Sequence, residues 1–63
     1  MTMVIEFYDR ERKLAAEHCA STLDDAMKMA RAGLGNHKAR HAMVLDIDRG
    51  RKLMALIHCD VLP

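Results

Sequence analysis

Ser21-Thr22-Leu23-Asp24-Asp25-Ala26-Met27-Lys28-Met29-Ala30-Arg31-Ala32-Gly33-Leu34 is the stretch on which the fold turns. At about 100° per residue, Leu23, Ala26, Met27, Ala30 and Leu34 fall in one stripe, while Asp24, Asp25, Lys28 and Arg31 fall outside it. The stretch therefore predicts an amphipathic helix with one face in a core. Ser21 or Thr22 can cap its start, because each has an aspartate three residues on, and both aspartates suit the positive end of the helix dipole. Lys28 and Arg31 lie nearer the end that favours cations, and Asp24 with Lys28 forms a well-oriented i,i+4 pair. Gly33 or Gly35 is the expected stop.

The flanks read as strands. Thr2 to Tyr8 places Met3, Ile5 and Phe7 on one face and Val4, Glu6 and Tyr8 on the other. Asp9 to Arg12 is a polar turn, and Lys13 to Cys19 is expected to return antiparallel, with Phe7 facing Leu14 and Ile5 facing Ala16. After a connector at Gly35 to Lys38, the segment Arg40 to Asp48 alternates His41, Met43, Leu45 and Ile47 against Ala42, Val44, Asp46 and Asp48. The first set is expected on the core face. Asp48-Arg49-Gly50 suits a three-residue hairpin with glycine in the left-handed position. That hairpin sets Leu45 opposite Leu53, Met43 opposite Ala55 and Asp46 opposite Lys52, with a last strand running from Arg51 to about Val61, near Pro63.

The order β-β-α-β-β predicts an α+β two-layer fold: a four-stranded, mainly antiparallel sheet with one helix on one face, in a single domain over residues 1–63. A chain of 63 residues buries only about 60% of the surface its unfolded form exposes, so stability is marginal without a staple, a metal or a partner. Net charge is +1, which gives no global attraction to nucleic acid or to an anionic membrane. With no apolar run of membrane length and no signal-like leader, the expected setting is soluble and cytoplasmic, where Cys19 and Cys59 stay reduced.

One helix covers one side of a sheet, so the other side is left open. In the expected register that side carries Ala42, Val44, Met54 and Leu56 as neighbours, adjoined by Val4 and Tyr8. An apolar patch of this kind on a small domain marks an interaction surface, and a homodimer supplies the burial that the domain lacks. The flexible methionine thioether suits such a surface, whether the partner is a second copy or an unidentified protein.

Other chemistries are weaker in the sequence. His18, Cys19, His58 and Cys59, with His37 and His41 in reserve, are zinc-type donors. Adjacent residues of a strand point to opposite faces, however, so neither His-Cys step presents both donors to one ion, and no metal or other cofactor is expected. Cys19 or Cys59 with His41 or His58 supplies part of a nucleophile and base pair, but no motif joins them. Asp46 and Asp48 stand on one strand face beside Arg49, Arg51 and Lys52, as at a solvated hairpin end. There is no nucleophile elbow, phosphate loop, dinucleotide fingerprint or zincin helix, so the expected role is non-enzymatic. Nucleic-acid binding is the alternative, with Arg10, Arg12 and Lys13 at one hairpin tip and Arg49, Arg51 and Lys52 at the other as the phosphate contacts.

The helix start Ser21-Thr22-Leu23-Asp24-Asp25-Ala26 resembles the helix of HicB-type antitoxins, small proteins that dimerise and neutralise a toxin partner. The resemblance covers the helix alone. It implies an antitoxin-like or regulatory role as a binder of another protein, and it assigns no site residue.

Overall fold

Residues 2–59 are described by a computed structural model of the chain. Along the chain come strand β1 (Met3–Tyr8), strand β2 (Leu14–Ala20), helix α1 (Leu23–Asn36), strand β3 (His41–Asp46), a 3-10 turn (Ile47–Arg49) and strand β4 (Lys52–His58). The four strands form one antiparallel sheet in the order β2-β1-β3-β4, and α1 packs on one face of it, giving the α+β two-layer architecture. The expected continuation of the last strand to Val61 lies outside the described residues.

Thr22 caps α1: its hydroxyl oxygen accepts a hydrogen bond from the Asp25 backbone N–H at 3.1 Å, with Asp24 and Asp25 in the first turn. Lys28 Nζ lies 3.4 Å from Asp24 Oδ2. The buried stripe is Ala26, Ala30, Gly33 and Leu34. The helix does not stop at either glycine. It runs on to Asn36 and ends through Lys38, whose φ of 53° is left-handed. The Lys38 N–H donates to the Gly35 carbonyl (3.3 Å) and the Ala39 N–H to the Leu34 carbonyl (3.0 Å), and Leu34 and Ala39 are both buried. These are the two hydrogen bonds and the apolar pair of a Schellman motif, with lysine where glycine is usual.

Gly33 is instead a point of close approach. A Cβ at Gly33 would collide with the ring of Phe7, which is fully buried at the centre of the core. Phe7 is flanked in the sheet by Ala16 on β2 and Ala42 on β3. Three small residues thus make the space for one large ring.

That space also decides which face of β3 meets the helix. Ala42 and Val44 pair with Phe7 and Ile5, and both are fully buried, so the face expected to be open is the core face. His41, Met43 and Leu45 point to the other side. Alternation alone favours His41, Met43, Leu45 and Ile47 for the core, since the other set carries Asp46 and Asp48, but the structure buries Ala42, Val44 and Asp46 on the helix side. The β1–β2 register differs too: left-handed Arg12 (φ 64°) and an irregularity after Phe7 set Phe7 opposite Ala16, Ile5 opposite His18 and Tyr8 opposite Leu14.

The β3–β4 hairpin keeps Leu45 opposite Leu53 and Asp46 opposite Lys52, and Gly50 is left-handed as expected (φ 70°). A bulge at Met54 then moves Met43 from Ala55 to Leu56 and places Ala55 beside Val44. Asp46 is buried; its Oδ1 accepts the Asp48 N–H (3.1 Å) and its Oδ2 lies 3.5 Å from Arg49 Nε, so its ionic partner is Arg49.

Candidate functional site

The face of the sheet away from α1 is built from three cross-strand rows. Cys19, Val4, Leu45 and Leu53 form the first, Glu17, Glu6, Met43 and Leu56 the second, and Leu14, Tyr8, His41 and His58 the third. Three of the four exposed large apolar side chains of the described residues lie here: Leu14 at 53% exposure, and Leu53 and Leu56 at 48%. Tyr8, Arg12, His41, Met43, Leu56 and His58 line a shallow depression of about 440 Å³ on this face.

Of the four residues first expected on the open face, Leu56 alone is exposed there. Ala42 and Val44 lie under the helix at 0% exposure, and Met54 packs against the core from the bulge. The correction follows from the inverted face of β3 and the extra residue in β4. Leu14, Met43 and Leu53 take their places. A tight turn puts Leu14 opposite Phe7, but the longer β1–β2 connection sets it opposite Tyr8; strand alternation puts Leu53 and Met43 in the core, but the face of β3 that meets the helix is the other one.

A polar group crosses the middle of this face. Glu6, nearly buried, accepts the Tyr8 hydroxyl through Oε1 at 2.9 Å and the Arg51 guanidinium through Oε2 at 2.9 Å. Burial pushes the Glu6 carboxyl up, but the hydrogen bonds from Arg51 and Tyr8 and the guanidinium charge outweigh it and hold the group below its ordinary range. Donating to that carboxylate raises the Tyr8 phenol, with burial adding to it. Left-handed Arg51 (φ 62°) aims its side chain from the hairpin end across the sheet. Tyr8 also stacks on His41, with ring centroids 5.1 Å apart.

The sulfur and imidazole donors are not gathered as one site. His18 and Cys19 are on the β2 edge, and His58 and Cys59 are at the end of the opposite edge strand. Among the described residues no group of three or more His, Cys, Asp or Glu side chains is placed to hold an ion. His18 instead meets His37, with Nε2 to Nε2 at 3.0 Å, and His41 pairs with His58 across the other face. No hydrogen bond joins either thiol to an imidazole among the described residues. Asp46 and Asp48 serve the hairpin: Asp48 Oδ2 accepts the Thr2 N–H at 2.8 Å.

The two basic clusters lie at opposite ends of the sheet, because β1 and β3 run antiparallel. Arg10, Arg12 and Lys13 share their end with Lys38 and Arg40, and Arg10, Lys38 and Arg40 line one depression. At the other end Arg49 and Arg51 are paired with Asp46 and Glu6, beside Lys52. Among the described residues no helix is long and apolar enough to cross a membrane. Comparison with protein-family models, curated proteins and solved structures finds no match.

Proposed function

We propose that this chain is a small, non-enzymatic interaction module that self-associates through the sheet face opposite α1. The observation that carries the reading is the pair Leu53 and Leu56, each 48% exposed, opposite Leu45 and Met43 on a face that α1 does not cover. The four strands give this face roughly 400 Å² per copy, from strand spacing and rise, with the Glu6–Tyr8–Arg51 group crossing it, so a two-copy contact covers about 800 Å², the size of a weak and concentration-dependent association. A second copy is the favoured occupant, since a domain of this size gains most from extra burial. A different protein, as the antitoxin likeness implies, would use the same face.

The test is molar mass by light scattering over a concentration series, in reducing buffer, for wild type and Leu56→Glu. Dimeric wild type and monomeric variant support the reading. A wild type that stays at 7.1 kDa sends the face to a different partner.

A second reading, binding of nucleic acid, is favoured by the gathering of Arg10, Arg12 and Lys13 with Lys38 and Arg40 at one end. It predicts salt-dependent retention of a labelled duplex that is lost in Arg10→Glu/Arg12→Glu, with Arg49 and Arg51 uninvolved. Absence of binding at low salt removes it.

A further inference from the structure

The geometry points to a metal site in which His18 and His37 together chelate one divalent transition ion of the imidazole-preferring kind, such as zinc. The two rings come from separate elements: His18 from the edge strand β2 and His37 from the cap of α1. Their Nε2 atoms are 3.0 Å apart, one ring's Nε2–H donating to the other; chelation needs both rings in the Nδ1–H form, so that proton shifts to Nδ1 of its own ring and the ion takes its place. Two imidazole nitrogens on one tetrahedral zinc, each about 2.0–2.1 Å from the ion, lie about 3.3 Å from each other. The pair therefore stands within a few tenths of an ångström of chelating separation before any ion enters.

The rings are also held. Phe7, fully buried, supports both, edge-on to His18 at 5.9 Å and tilted against His37 at 5.0 Å between centroids. The His37 backbone is fixed by the bond its N–H donates to the Gly33 carbonyl (2.8 Å). Positions fixed from behind are what a chelate requires, because little freedom is lost when the ion binds. The front is open: His18 is exposed, and the two imidazoles share a shallow depression with Met29 and Asn36. Two protein donors leave the remaining coordination positions to water, as in an exchangeable site.

His41 and His58 form the internal comparison. They are cross-strand neighbours on the other face, yet their centroids are 6.1 Å apart and no hydrogen bond joins their ring nitrogens. A site made by geometry, and not by histidine content, distinguishes the two pairs.

The experiment is zinc titration by calorimetry of a Cys19→Ser/Cys59→Ser chain, so that thiolates do not compete. In that background His18→Asn and His37→Asn are compared with His41→Asn. One ion per chain is expected, with affinity lowered on the order of 10²-fold by losing either member of the pair, the usual scale for losing one arm of a two-point attachment. His41→Asn is expected to match the parent. Because the ion ties α1 to β2, zinc should also raise the thermal midpoint of the parent and not of the two pair variants. Histidine nitrogen NMR of the parent chain with zinc gives an answer that needs no variant to fold: the Nε2 signals of His18 and His37 shift together. No zinc-dependent shift at those nitrogens, or equal affinity in the His18→Asn and His37→Asn chains, overturns the assignment.

Discussion

Phe7 lies in the space that a Cβ on Gly33 would need, so strand β1 and helix α1 meet ring against backbone. The sheet side of the same ring is bordered by Ala16 and Ala42.

Gly33→Ala should therefore destabilise the fold, although alanine is better than glycine in a helix by about 1 kcal/mol. Overpacking a rigid ring costs about 1–3 kcal/mol, and here it exceeds the gain in propensity. Urea unfolding followed by circular dichroism gives the sign: a lower midpoint at unchanged slope is expected, and a higher one shows that the ring moves aside freely.

Lys38→Gly should do the opposite. Lys38 holds the left-handed position of the Schellman motif (φ 53°), where a side chain is strained by about 1–2 kcal/mol. Part of that gain is returned through the freer unfolded chain, so a net stabilisation of about 0.5–1 kcal/mol is expected from the same urea measurement. Gly35→Ala, with open space around its Cβ, is the companion change that raises helix propensity without a clash.

How much of this was legible in the sequence differs by residue. Thr22 with Asp25 announced the helix start, and Gly50 announced the hairpin and the pairs Leu45–Leu53 and Asp46–Lys52, because caps and turns are decided by neighbours in sequence. The helix stop was misread, since Gly33 is glycine for the sake of Phe7, a residue 26 positions away. The β3 face was misread for a similar reason. Met43 and Leu45 offer more apolar surface than Ala42 and Val44, so pattern alone favours them for the core; the smaller pair is buried because Ala42 borders the Phe7 ring and Val44 borders Ile5. Leu56 was placed on the open face from sequence; Leu14 and Leu53 were not, because a bulge and a turn length decide them. The meeting of His18 and His37 carried no sequence signal, since it depends on the β1–β2 register and on how far α1 runs.

The Glu6 group makes a pH prediction. Its carboxyl in the folded chain sits below the ordinary value of 4.5 despite burial, through Arg51 and Tyr8. A lowered folded-state value means that the ionised group contributes stability above the ordinary value, and that this contribution is lost as pH falls through the lowered one. Thermal midpoints at fixed chain concentration should thus fall more steeply below pH 4.5 for wild type than for Glu6→Gln, with Arg51→Met reducing the same dependence. Identical acid limbs for wild type and Glu6→Gln would show that other carboxylates govern acid unfolding.

Self-association through the uncovered sheet face places methyl groups of the two copies within nuclear Overhauser range. Isotope-filtered NOE spectroscopy on a mixture of labelled and unlabelled chains reads that contact directly. Intermolecular peaks from the methyl groups of Leu53, Leu56 and Met43 are predicted, with none from Ala26 or Ala30 on α1. Intermolecular peaks confined to the helix side, or no such peaks at millimolar concentration, would contradict it.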